Sequence, residues 1–292
     1  MSVSARFNKF LENLRLTDDQ VTKGTARREA VVGTLNPSYW NSSNTTAHSR
    51  FVGSWAKHTR IRPPRDVDII YELPKEVYDR FNSRTGNKQS QILQEVRSIL
   101  LAQYPKTAIR GDGPVVVVPF VAFNVEVIPA FALNGGGHWI CMTENGGHYK
   151  KANYAEEEDQ ITKSDAGTAG NTRHLIRMMK CWQGYCSVPI KSFHIELLAV
   201  DFLSGWIYKG KSFTYYDFMV RDFLQYLIDK ENTSVYAPGT REAMSIGSGW
   251  ESKARTALTR AQKACNFEAA SDWSSAGEEW QKIFGTDIPK MP

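Results

Sequence analysis

The chain has 292 residues, 41% hydrophobic and 12% aromatic, enough for one large core or two modest ones and too much for wholesale disorder. Its formal charge is +5, from 36 Lys and Arg against 31 Asp and Glu, and no run nears the ~18 apolar residues that cross a bilayer. The first residues lack the apolar stretch and small-residue cleavage site of a secretory signal, so the expected setting is the cytoplasm, with no membrane.

In chain order, apolar residues at Phe7, Phe10, Leu11 and Leu14 open a helical pattern over 4–33, and the polar run 41–46 reads as a loop. Residues 1–65 carry 11 Lys and Arg against 4 Asp and Glu, a surplus of +7 that leaves the remainder at −2. Such a surplus suits an anionic partner, from a nucleoside triphosphate to RNA, or an ordinary solvated surface; composition does not choose. A strand is predicted over 67–73, a helix over 89–104, and strands over 115–123 and 125–133. Asn134-Gly135-Gly136-Gly137 and Asn145-Gly146-Gly147 read as hairpin turns, because their flanks look extended and no helix follows to cradle a phosphate. Helices are predicted over 172–184, 192–207, 213–230, 251–265 and 267–284. Cys141, Cys181, Cys186 and Cys265 have no metal-binding spacing and read as free thiols in a reducing compartment.

The most informative residues are acidic. Asp66 and Asp68 lie two apart in a run of β-branched residues, which puts both carboxylates on one face of a strand. Like charges so placed repel unless divalent cations with a taste for oxygen neutralise them. Two such ions can clamp the attacking and leaving oxygens of a phosphoryl transfer. A D-x-D pair alone is usually a solvated edge; here Gly53-Ser54 stands upstream, a turn able to offer backbone N–H groups to phosphate. Glu126 interrupts an apolar strand, where a charge is costly unless paired or metal-bound. Further on, Arg173, Arg177 and Lys180 fall at i, i+4 and i+7, a basic stripe that suits a triphosphate or a solvated helix face. Ser192 then opens the next helix as an N-cap or a phosphate contact.

Together these blocks resemble the nucleotidyltransferases of the DNA-polymerase-β-like superfamily, and more narrowly the bacterial CD-NTases, the cGAS/DncV-like enzymes. The resemblance runs through Gly53-Ser54 with Asp66-x-Asp68, then Glu126-Val127-Ile128-Pro129, Met178-Met179-Lys180-Cys181-Trp182 and Lys191-Ser192-Phe193-His194-Ile195-Glu196, to the closing 279–285. The fold it implies is α+β: a polymerase-β-like core of mixed sheet and flanking helices over 1–165, including the N-terminal helix, joined to a C-terminal helical lobe over 166–292. The activity it implies is joining NTPs, ATP among them, into a cyclic di- or trinucleotide second messenger in anti-phage (CBASS) signalling. A downstream effector would sense the product, and a regulatory protein partner is expected. Asp66, Asp68 and Glu126 would hold two Mg²⁺ ions, with Mn²⁺ as a substitute. Gly53, Ser54, Arg173, Arg177, Lys180 and Ser192 would contact nucleotide phosphates, and Phe193 would stack on the donor base. The superfamily more often has Asp where Glu126 stands, and the zinc-binding insertion of the animal relatives is absent. No nucleic-acid-binding module is recognisable. Two other readings share these residues: a linear oligoadenylate or RNA nucleotidyltransferase, and a catalytically silent nucleotide sensor.

Overall fold

The computed structural model of the chain describes residues 2–121 and 123–291. The helical stretch expected over 4–33 is two helices, α1 (Val3–Leu14) and α2 (Asp18–Trp40). The break has a local cause. Thr17 accepts from the Gln20 N–H, and the Gln20 side chain accepts from the Thr17 N–H, a reciprocal cap that starts α2 afresh. The chain continues through β1 (Ser49–Phe51), α3 (Gly53–Ala56), β2 (Asp66–Glu72), α4 (Lys75–Asn82), α5 (Lys88–Gln103), β3 (Arg110–Asp112), β4 (Val115–Pro119), β5 (Asn124–Ala132), β6 (His138–Met142) and β7 (His148–Ala152). It then turns helical: α6 (Tyr154–Gly167), α7 (Asn171–Tyr185), α8 (Ser192–Gly205) and α9 (Tyr216–Asp229). After the small hairpin of β8 (Ser234–Tyr236) and β9 (Ala243–Ser245) come α10 (Glu251–Ala269) and α11 (Trp273–Phe284).

The strand expected over 115–123 ends at Pro119, which has no N–H to extend the ladder, and residue 122 of that span lies outside the described residues. Both glycine-rich turns close antiparallel hairpins, β5 with β6 and β6 with β7. The helices expected over 251–265 and 267–284 meet four residues later than the periodicity suggested. Ser271 takes a left-handed backbone, and Asp272 caps α11 by accepting from the Ser275 N–H.

Two compact units interleave along the sequence. The sheet unit comprises Leu16–His58 and Pro64–Glu158. Its sheet runs β1-β2-β5-β4-β3, with β6 and β7 continuing from β5; among the described residues β2 and β5 pair in parallel and the other pairs are antiparallel. Val67, Ile69, Val125 and Val127 point to one face of the sheet, where they pack with Val31 and Leu35 of α2 and Ile92, Val96 and Leu100 of α5. That alternation leaves Asp66, Asp68, Asn124 and Glu126 on the other face.

The helical unit comprises the chain up to Arg15, the short segment Thr59–Pro63, and everything from Asp159 on. The N-terminal helix, expected with the sheet lobe of 1–165, groups here instead, and the division runs through α6, with Tyr154–Glu158 in the sheet unit and the rest of the helix here. The reason is packing. Phe7 lies edge-on to Trp280 at 5.2 Å between ring centroids, and Phe10 contacts Phe284 at 4.7 Å. Fully buried Arg6 donates to Glu268 at 2.8 Å and to the carbonyls of Trp273, Pro289 and Lys290. Cys141, Cys181 and Cys265 are buried free thiols and Cys186 is half-buried. Among the described residues no helix is long and apolar enough to cross a membrane.

Candidate active site

The sheet unit collects its carboxylates by register. Parallel pairing sets Asp66 opposite Asn124 and Asp68 opposite Glu126, so three acidic side chains and one amide share a ledge on two adjacent strands. Asn124 donates to Asp66 Oδ1 at 2.9 Å. It was not among the residues singled out from the sequence, although its spacing of two from Glu126 puts it on the same face. Burial, then Asp68 and Asp66, push the Glu126 carboxyl up from its ordinary value to about 7.

Beside the ledge the chain turns sharply at Gly53, whose φ of +56° favours glycine. A Cβ at Gly53 would also lie 2.5 Å from Asp68 Oδ2, so no other residue lets the turn approach the carboxylate so closely. The turn is fixed from both sides. The Val52 N–H donates to the Asp68 carbonyl at 2.9 Å, and the Trp55 indole N–H donates to the Asp66 carbonyl at 2.9 Å. The Trp55 ring is buried, stacks on Phe51, and lies against Gly24 of α2 so closely that a Cβ there would fall 2.0 Å from Cη2. Gly24 thus supports the site from beneath, and nothing in the helical pattern around it signals that. Lys57, one turn after Gly53, is buried and paired with Glu157 at 2.8 Å. Burial next to Glu157 and Asp68 raises the phenol of Tyr154.

Hard oxygen donors on one ledge, with a close-approach glycine alongside, suit divalent cations of the Mg²⁺ class. The negative charge that raises Glu126 is the charge such ions would neutralise. Among the described residues no three His, Cys, Asp or Glu side chains converge on one metal-sized point.

Glu126 also makes a stability prediction for the metal-free protein. A carboxyl whose folded pKa is raised contributes stability that is fully present below its unfolded value and lost as pH rises through the folded one. With chelator present, the melting temperature should therefore fall between about pH 4.5 and 7. Asp217 of the helical unit, pushed up to about 6 by burial, acts in the same direction, so the comparison that isolates Glu126 is with Glu126→Gln. Melts of both proteins at pH 5 and 7.5 should show a shallower decline in the variant; parallel declines would refute the assignment.

In the helical unit the three basic residues of α7 meet different fates. Arg173 pairs with Asp165 of α6 at 2.6 Å and also donates to Thr162. Arg177 is lowered to about 10, first by burial and then by Arg15, with Arg173 and Arg60 adding to the same effect. Arg15 and Arg60 belong to this cluster, yet they come from separate segments, where no periodic pattern links them to α7. Burial, then Arg177, holds His174 down at about 4. Lys180 pairs with Glu196 at 2.5 Å. Ser192, expected as an N-cap or a phosphate contact, is the first helical residue of α8; Lys191 occupies the cap position, and the Ser192 hydroxyl donates to Gln183 at 2.8 Å. Phe193 follows it, half-buried.

Comparison with known proteins adds to this geometry. Residues 1–165 match the family described as the Second Messenger Oligonucleotide or Dinucleotide Synthetase domain. The chain is 22% identical over 272 residues to a probable cyclic nucleotide synthase of Bacillus cereus (strain VD146), covering 81% of each chain. It is 26% identical over 229 residues to the CBASS oligonucleotide cyclase CdnC of Escherichia coli (strain KTE188), covering 74% of this chain and 69% of that one. Among solved structures, a mutant of the Vibrio cholerae di-nucleotide cyclase DncV matches with TM-score 0.72 at 12% identity, covering 95% of this chain and 93% of that one. Escherichia coli MS115-1 CdnC with ATP matches with TM-score 0.65 at 17% identity over 98% of each chain. At such identities the structural likeness speaks for the fold.

Proposed function

The chain belongs to the Second Messenger Oligonucleotide or Dinucleotide Synthetase family, and we propose that it joins NTPs, ATP among them, into a cyclic di- or trinucleotide in CBASS anti-phage signalling, releasing pyrophosphate. The observation that carries this reading is the ledge on which Asp66, Asp68 and Glu126 lie side by side, with the Gly53 turn against Asp68. Relatives named as a probable cyclic nucleotide synthase and as an oligonucleotide cyclase support it.

In this reading Asp66, Asp68 and Glu126 would hold two Mg²⁺ ions, for which Mn²⁺ would substitute. When bound, the ions supply activation of the attacking ribose hydroxyl and charge stabilisation for the departing pyrophosphate. As a metal ligand Glu126 would serve in its carboxylate form, the form that binds such ions. The backbone at Gly53 and the hydroxyl of Ser54 bind donor phosphate oxygens, and Trp55 keeps that turn in place. In the helical unit Arg173, Arg177, Lys180 and Ser192 bind phosphates, and Phe193 offers a ring on which a base stacks whatever its identity. Arg15 and Arg60 add charge to the Arg177 cluster. A downstream effector senses the product. Escherichia coli CdnC has been solved in a complex with HORMA-deltaN, and a regulatory protein partner of this chain is proposed on that likeness.

Incubation with four labelled NTPs and Mg²⁺ or Mn²⁺, followed by phosphatase, tests the reading. A low-mass, phosphatase-resistant product is expected. A ladder of linear oligomers would replace the cyclase with an oligomerase, and NTP binding without turnover would leave a sensor.

A further inference from the structure

Lys180 is 8% exposed, and its ammonium is held at two points. It donates to Glu196 Oε1 of α8 at 2.5 Å and to Thr59 Oγ1 at 2.9 Å, while the Thr59 hydroxyl donates to the same Glu196 oxygen at 3.1 Å. Thr59 is fully buried and Glu196 is 3% exposed, so the three polar atoms close a triangle away from water. Glu196 stands four residues after Ser192, on the same side of α8.

An ammonium carries three N–H donors and no acceptor. Glu196 and Thr59 take two, so one remains among the described residues. A lysine is ordinarily a flexible point charge whose rotamer freedom must be surrendered on binding. Here the surrender is made beforehand, and the remaining N–H has one direction. We propose that Glu196 and Thr59 are positioning residues for Lys180, fixing its ammonium so that the remaining donor meets a phosphate oxygen of the NTP. This rests on Lys180 being a phosphate ligand, as read above.

A purely structural ion pair would have the same contacts, so the test must separate the two roles. Steady-state kinetics on the full chain compare wild type with K180M, E196Q, T59V and the double variant K180M/E196Q, with melting temperatures alongside. E196Q keeps the shape but removes the charge; T59V keeps the volume but removes the hydroxyl. K180M should raise KM for NTP about tenfold or more, and E196Q and T59V about three- to tenfold with kcat within about twofold. The double variant should be no worse than K180M alone, because without the ammonium there is nothing to position. If E196Q folds poorly, T59V still decides through KM. Lowered melting temperatures with unchanged KM, or additive effects in the double variant, would overturn the proposal. Unchanged KM in K180M would overturn instead the reading of Lys180 as a phosphate ligand.

Discussion

Replacing Asp66 and Asp68 together with alanine should abolish product formation, by at least about three orders of magnitude, while the protein stays folded. The two effects separate because the strand separates them. Val67 and Ile69 face the core and are untouched, whereas Asp66 and Asp68 lie on the half-exposed ledge. The ties that hold the Gly53 turn to this strand, from Val52 and Trp55, end on backbone carbonyls and survive the change. The hydrogen bond from Asn124 to Asp66 is lost, at a cost of about 1 kcal/mol. Against it stands relief of repulsion, since both carboxylates raise Glu126. The melting temperature should move by only a few degrees, and its pH dependence should flatten only in part, because burial, the larger cause of the raised Glu126 carboxyl, remains. The checks are the phosphatase-resistant product assay and a thermal melt. Turnover near wild type would remove the ledge from the mechanism.

Gly24→Ala should be strongly damaging, although Gly24 touches no proposed ligand. In an open helix the substitution would gain roughly 1 kcal/mol of helix propensity. Here the added methyl would sit 2.0 Å from Cη2 and 2.6 Å from Cζ2 of the Trp55 indole, far inside van der Waals contact. The ring has no easy retreat, being buried, stacked on Phe51, and tied by its N–H to the Asp66 carbonyl. Overpacking of this kind costs about 1–3 kcal/mol, and the clash is severe enough to place the change at the upper end. The steric cost wins. A displaced indole also releases the turn two residues upstream, so activity should fall at least about tenfold at temperatures where the variant is still folded. Chemical denaturation measures the first effect and product formation the second. A variant as stable as wild type would show that Trp55 does not rest on Gly24.

The ledge was legible in the sequence because a strand has a period of two, and Asp66, Asp68 and Glu126 break an apolar pattern at that period. The helices α5 and α7 to α11 were legible through apolar faces. What stayed hidden depends on contacts that no local pattern records. Helix α6 buries only Ile161, so it has no apolar stripe to find. The basic surplus of residues 1–65 looked like a surface for an anionic partner, yet much of it is spent within each unit. Arg6 is buried with Glu268, Lys57 with Glu157, Arg28 donates to Ser49, and Arg62 donates to the Asn13 carbonyl. Composition counts charges but does not see the partners, which in the case of Arg6 lie 262 residues away.

That separation sets an order of assembly during synthesis. Every residue of the sheet unit precedes Asp159, so a growing chain has the whole ledge in hand while α1, made before the sheet unit, still lacks Trp280, Phe284 and Glu268. At translation speeds of about 5–20 residues per second, that interval is on the order of ten seconds. Through it Phe7, Phe10 and the charge of Arg6 must be sheltered by something other than their final neighbours, and an interrupted message leaves them stranded. Helix α1 emerges before the whole sheet unit and finds its packing partners only after it.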